Sequence, residues 1–189
     1  MNREGARRSR AYHSFFEGYT ETYNQQGKIV RVYTEDYHSL GGNPWRYKLA
    51  ITGFYLIGLI AFLAGAWTDA PFNRFWLASI LEGALLIVSI LAGVRVAGLL
   101  MAPKRMMLRQ YRSLSEKLPL YSLLMTIGEG LLLLMSIVLM IVSKEMSRVP
   151  LLLLAGTAAS AAMAFTTREI SYEVVDNPMK ETVQGSKIF

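Results

Sequence analysis

The stretch that decides the fold is LAITGFYLIGLIAFLAGAW, residues 49–67, which runs for 19 positions without a charged side chain. As a helix it would rise about 28 Å, close to the ~30 Å hydrocarbon core of a bilayer. A helix also satisfies its backbone hydrogen bonds within the segment, as lipid requires. The stretch therefore predicts a transmembrane helix.

Three further apolar blocks follow, at residues 75–100, 118–142 and 149–165. Hydrophobic residues make up 52% of the 189-residue chain, and its mean hydropathy is +0.29. Helices of a soluble bundle rarely show apolar residues on every face for so long. The sequence thus predicts an all-α membrane protein. Its four-helix transmembrane bundle, residues 47–166, would lie between an N-terminal region, 1–46, and a C-terminal tail, 167–189.

Basic residues predict the orientation of these helices. Eight lie within residues 1–48, five between the second and third blocks and three after the fourth, against one and two in the other links. The positive-inside rule places the side richer in Lys and Arg in the cytoplasm. We therefore expect a protein of the cell membrane with both termini cytoplasmic.

The net charge of +6 has the same explanation, because most basic residues flank the apolar blocks. Such positions favour anionic lipid headgroups over nucleic acid as the partner. An arginine near the inner end of a helix reaches the same layer by extending its side chain. The predicted headgroup contacts are Arg46, Lys48, Arg95, Lys104, Arg105, Arg109 and Arg112.

The cytoplasmic parts show shorter patterns. Aromatic residues recur at helical spacing over residues 7–24, which predicts a short amphipathic helix, packed either on the membrane surface or on the protein's own inner loops. Residues 28–34 and 170–175 are strand-like and both cytoplasmic, so they could pair with each other, with support from the membrane domain or a partner. Between the second and third blocks, the spacing favours an interfacial helix or a continuation of the second helix.

The sequence contains none of the catalytic, nucleotide-binding or metal-binding motifs that we searched for. The chain has no cysteine, and its two histidines, His13 and His38, lack ligand spacing with another candidate residue. Nucleotide-binding, zinc-protease and serine-hydrolase motifs are missing as well. We predict no catalytic residue, no metal site and no cofactor.

The notable polar residues lie inside the apolar blocks. Residues 79–91 read SILEGALLIVSIL and residues 126–138 read TIGEGLLLLMSIV, so each has a Glu-Gly pair and a serine seven positions after the Glu. In an antiparallel helix pair, this spacing places Glu82 level with Ser136 and Glu129 level with Ser89. We therefore predict reciprocal carboxyl–hydroxyl pairs between the two helices, with protonated glutamates that both donate and accept.

Three functions remain open. The small residues of the fourth block and the lack of catalytic motifs favour an accessory or scaffold subunit of a larger membrane assembly, bound to another membrane protein or to further copies of itself. The alternative is a small oligomeric proton- or cation-coupled transporter using Glu82 and Glu129, since ionisable residues within membrane helices often mark ion pathways. A membrane-embedded enzyme has the least support.

Overall fold

The computed structural model describes residues 17–23 and 28–180, which fall into two compact units. The first unit combines the described residues up to Gly41 with Ala102–Arg112 and residues 171–180. The second unit comprises Gly42–Met101 and Ser113–Ile170. The described end segments and residues 102–112 of the link between the second and third helices thus belong to one unit, and the long helices to the other.

A hairpin opens the first unit. Strand β1, Tyr19–Tyr23, pairs antiparallel with β2, Ile29–Tyr33. The strand predicted at residues 28–34 is confirmed, but the predicted helix over residues 7–24 is wrong for its last part, and its residues 7–16 lie outside the described ranges. The reason is local, because YTETY consists largely of β-branched and aromatic residues, which favour strands.

A second pair of strands completes this unit. Strand β3, Tyr37–Leu40, pairs antiparallel with β4, Tyr172–Val175, and His38 also exchanges two backbone hydrogen bonds with Met106, at 2.9 and 2.7 Å. The tail strand is confirmed. The pairing with residues 28–34 is wrong: β2 pairs with the neighbouring β1, which closes a far shorter loop than a β2–β4 pair would, and the tail joins β3 instead.

Four long helices form the second unit: α1, Pro44–Trp67; α2, Trp76–Leu100; α3, Leu118–Ser143; and α4, Val149–Arg168. All four predicted helices are present. By length and composition, each is able to cross a membrane. Helix α1 begins earlier than its apolar block, because the Asn43 side chain accepts a hydrogen bond from the Trp45 amide at 3.2 Å and Pro44 occupies the first turn.

Helical structure in the link after α2 leads into α3 and does not continue α2. A short helix, Leu108–Arg112, and a π-helical turn, Ser113–Lys117, lead directly into α3. The expected continuation of the second helix is therefore wrong, and helical structure instead extends the third helix toward its N-terminus. Helix α2 ends at Leu100, shortly before Pro103.

Packing in the second unit centres on α4, which lies most closely against α1 and α3, while α2 packs mainly on α3. Small residues permit these approaches. Gly156 of α4 lies so near α1 that a β-carbon there would be 3.5 Å from the Ala61 methyl group. The buried core is lined by larger side chains from all four helices, including Phe62, Leu85, Met125, Leu132 and Leu153.

Candidate functional site

Glu129 of α3 is completely buried, with 0% of its surface exposed. Its Oε2 accepts a hydrogen bond from the Ser160 hydroxyl of α4 at 2.8 Å, whereas Oε1 has no partner among the described residues. A buried polar atom without a partner costs about 1–3 kcal/mol, more if charged. The carboxyl group is thus half satisfied, and it ties α3 to α4.

Glycines surround this carboxyl group on two sides. A β-carbon at Gly156 would lie 3.2 Å from Oε2, and one at Gly58 of α1 would lie 3.7 Å from Oε1 and 3.0 Å from the Ser160 hydroxyl oxygen. Both positions therefore leave room that a larger residue would take. Glu129 thus lies where α1, α3 and α4 meet, rather than between α2 and α3.

The predicted reciprocal pairs are wrong. Ser89 donates to the carbonyl of Leu85 at 2.8 Å and Ser136 donates to the carbonyl of Leu133 at 2.8 Å, so each hydroxyl binds its own helix. Both serines are buried, as the repeat predicts for an inward stripe. The predicted levels are wrong as well, because a β-carbon at Gly128 would lie 2.7 Å from Cδ1 of Leu85, which places Glu129 near the level of Leu85 and more than one helical turn from Ser89.

Glu82 of α2 is in a different situation. Its side chain is partly exposed, and within residues 17–23 and 28–180 it has no hydrogen-bond or ionic partner. Next to it, Gly83 is exposed, and a β-carbon built there would have no atom within 4 Å. The two glutamates of the repeat therefore differ, because one is enclosed by the protein and the other borders its outer surface.

The basic residues predicted to meet lipid headgroups divide between the two units. In the second unit, Arg95 donates to the Ser113 hydroxyl at 2.7 Å and Lys48 to the Leu100 carbonyl at 3.0 Å. In the first unit, Arg112 pairs with Glu17. Exposed side chains are those of Arg46, Lys104, Arg105, Arg109 and Arg112. Contact with lipid stays a prediction for all seven residues.

The first unit holds a cluster of aromatic rings. The His38 and Tyr111 rings stack with centroids 4.0 Å apart, and Tyr172 meets Tyr111 edge-on at 5.0 Å. Burial raises the pKa of the Tyr172 hydroxyl to about 12, and within the described residues this hydroxyl has no partner. Tyr172 therefore stays neutral at physiological pH, and the cluster contributes packing.

Metal ligation finds no support in the described ranges. No group of three or more His, Asp or Glu side chains converges there. An open cavity of about 580 Å³ lies beside the α1–α2 and α3–α4 links and includes Asp69, Glu145 and Arg148 in its lining. Asp69 already pairs with Arg74 at 3.0 Å, so one of the cavity's two carboxylates is committed.

Ser160 is the residue that the sequence analysis missed as a partner of Glu129. A signal for it exists in the α3–α4 hairpin. Glu129 lies 14 residues before the end of α3 at Ser143, and Ser160 lies 11 residues after the start of α4 at Val149. These distances from a short turn place the two side chains within one helical turn of each other.

Comparison with known proteins adds no relative: the chain matches no protein-family model, no curated protein and no solved structure.

Proposed function

We propose that this chain is a multi-pass protein of the cell membrane that serves as an accessory or scaffold subunit of a larger membrane assembly. Support for the membrane comes from the four long apolar helices, in whose most apolar windows only 22 to 33% of residues are buried by the protein itself. The outward-facing residues are mostly large and apolar, which is stable against lipid and unstable against water.

One observation carries the assembly role, namely the partly exposed carboxyl group of Glu82. It lies six residues into α2, or about 9 Å along the helix, and has no partner within the described residues. Polar groups at such depth are costly in lipid and are normally paired. A neighbouring membrane helix would supply the missing partner, so the isolated chain is an incomplete unit.

Native copurification tests the assembly role. The tagged chain is extracted from its own membranes with a lipid-preserving polymer, and the mass and composition of the particles are measured. A particle containing another membrane protein in fixed ratio supports the proposal, and several copies of this chain alone support it where the particles show no proton flux, since the transporter is oligomeric as well. A particle containing one copy of this chain and only lipid overturns it.

The second candidate is a proton- or cation-coupled transporter, and the unpartnered Oε1 of Glu129 favours it. A buried carboxyl group that lacks one partner has capacity to exchange a proton. Purified protein in liposomes would then show proton flux that disappears in Glu129→Gln and persists in Ser89→Ala, whose hydroxyl binds only its own helix. Absence of flux in the parent protein rejects this candidate.

A further inference from the structure

The outer-facing side of α2 carries polar groups that its own neighbours do not satisfy. Within the described residues, neither the Glu82 carboxyl group nor the exposed Ser79 hydroxyl has a hydrogen-bond partner. One helical face of α2 carries four residues at successive steps of four, three and four positions, namely Ser79, Gly83, Leu86 and Ile90. Glu82 borders this face, called here the α2 face.

Helix α1 offers no partner at the level of Glu82. The Tyr55 hydroxyl donates to the Ser89 carbonyl at 3.1 Å, which fixes the register of the two antiparallel helices. Seven residues further toward the α1–α2 link, Phe62 is level with Glu82. The surrounding residues 59–66 read LIAFLAGA and contain no side chain able to form a hydrogen bond.

Helix α3 offers none either. A β-carbon at Gly128 would lie 2.7 Å from Cδ1 of Leu85, so these two residues are in close contact. Three residues further along each antiparallel helix, Leu131 is level with Glu82. Residues 127–135 read IGEGLLLLM, and their one polar side chain, Glu129, is bound to Ser160 of α4. Within residues 17–23 and 28–180, therefore, no side chain pairs with Glu82, and a partner from outside these ranges would have to supply its hydrogen bonds.

We propose that this partner is a second copy of the chain, docked on the α2 face through paired Glu82 carboxyl groups. The proposal rests on the proposed assembly role and names its first contact. In a two-fold dimer whose axis is parallel to the membrane normal, each residue near the axis meets its own counterpart at the same depth. A protonated carboxyl group donates and accepts one hydrogen bond each, so two of them satisfy each other.

Gly83 supplies the close approach that such a pair requires. It is exposed and has no atom within 4 Å of its β-carbon position, so a facing helix is free to approach its backbone. Small residues at membrane helix contacts serve this purpose. A different protein would have to bring a polar group to the same depth, whereas a second copy does so by symmetry.

Site-directed crosslinking tests the dimer. Because the chain has no cysteine, an introduced thiol is the only one that is able to form a disulfide. Leu86→Cys places a single thiol on the α2 face, where Leu86 is 41% exposed. The purified variant is reconstituted at low density in phosphatidylcholine–phosphatidylglycerol vesicles and oxidised. We expect a disulfide-linked dimer from Leu86→Cys. Ile60→Cys, on the 64%-exposed surface of α1, reports random collisions and should give little dimer.

Substitutions of Glu82 then separate hydrogen bonding from charge. Glu82→Gln keeps a donor and an acceptor without any charge, so crosslinking should persist. Glu82→Leu removes both and should weaken the dimer about tenfold. Gly83→Ile should abolish crosslinking by blocking the approach. Gly53→Ile on α1 is its matched control, because this glycine also has open space at its β-carbon, and it should have no effect.

Several results would overturn the dimer. It is wrong if Leu86→Cys stays monomeric, if Glu82→Leu crosslinks as well as the parent, or if Ile60→Cys crosslinks equally. An unchanged Glu82→Leu would mean that the carboxyl group reaches the lipid headgroups. If the thiol at position 86 in native membranes links only to another protein, the self-pairing fails while the proposed assembly role stands.

Discussion

At the scale of single residues, the two glutamates of the internal repeat show how far the sequence predicts the environment of a buried carboxyl group. The repeat predicts hydrogen-bonded pairs inside the bundle for both glutamates, whereas the structure buries Glu129 and leaves Glu82 partly exposed. The repeat cannot give the partner, because counting residues from the ends of the apolar blocks fixes neither the exact level nor the direction of a side chain. Ser160 supplies the hydroxyl from α4, and Gly58 and Gly156 leave room for the carboxyl group.

Ser160→Ala should destabilise the protein by ~0.6–1.7 kcal/mol, the range for a hydrogen bond between membrane helices. The loss arises because Oε2 of Glu129 would join Oε1 as a buried oxygen without a partner. Unfolding by SDS in mixed micelles, followed by tryptophan fluorescence, measures the change. Ser89→Ala is the matched control, since that buried hydroxyl binds its own helix, and should change stability by less than about 0.5 kcal/mol. If Ser160→Ala and Ser89→Ala lose equal stability, the hydrogen bond between Ser160 and Glu129 does not add to the stability of the protein.

Outside the helices, Asp36 and Lys180 form an ion pair at 2.9 Å. The hydrogen bond from Lys180 lowers the pKa of Asp36 below 3.8, and the same bond raises the pKa of Lys180 above 10.5. The contribution of Asp36 to stability is present above its unfolded pKa and is lost as pH falls through the lowered folded value. That of Lys180 is present below 10.5 and is lost as pH rises through the raised value.

Lys180→Met should therefore raise the pKa of Asp36 toward 3.8. Carboxyl carbon chemical shifts of labelled Asp, followed from pH 2 to 6, measure this change. An Asp36 titration that is unaffected by the substitution would show that the pair does not form.

At the scale of elements, the four long helices were predictable and the strand partners were not. An uncharged run of 19 residues leaves a helix little competition, so its type follows from length and hydropathy. Strand pairing depends instead on which segments the rest of the fold brings side by side, which an alternating pattern does not contain. β2 pairs with the neighbouring β1, and β4 pairs with β3.

A pair of cysteines distinguishes the two possible partners of β4. Ser39 lies directly opposite Glu173 in the β3–β4 register, so Ser39→Cys/Glu173→Cys should form an intramolecular disulfide under mild oxidation. Val32→Cys/Val174→Cys, which would link the β2–β4 pair expected from the sequence, should not. Mass spectrometry after alkylation of free thiols counts the bonds. A disulfide in the second protein alone would restore the predicted pairing.

At the scale of the whole molecule, orientation in the membrane rests on sixteen basic residues in the terminal regions and the link after α2, against three in the other links. Exposed positions are needed to test it. Asn73, in the α1–α2 link, is unsuitable for replacement by cysteine, because its side chain donates hydrogen bonds to the carbonyls of Gly65, Ala66 and Thr68 at the end of α1. Met146, between α3 and α4, is 99% exposed, and replacing its side chain removes no hydrogen bond of this kind.

Met146→Cys should react with a membrane-impermeant thiol reagent in intact cells. Asp176→Cys, at an exposed position after β4, should react only after the cells are opened. The prediction follows from the preference of basic segments for the cytoplasmic side. Gel shifts of the labelled protein give the result, and the opposite pattern would invert the orientation.

The position of α4 in the bundle has a consequence for how the protein is made. α4 joins α1 to α3, yet it is the last of the four helices to be synthesised. At about 5–20 residues per second, several seconds separate the emergence of α1 from that of α4. Ser160 lies 31 residues after Glu129, so at this rate the carboxyl group is without its donor for about 2–6 s. Synthesis therefore passes through a stage with three helices and an unmatched carboxyl group, and the pairing of Glu129 with Ser160 distinguishes the finished chain from the unfinished one.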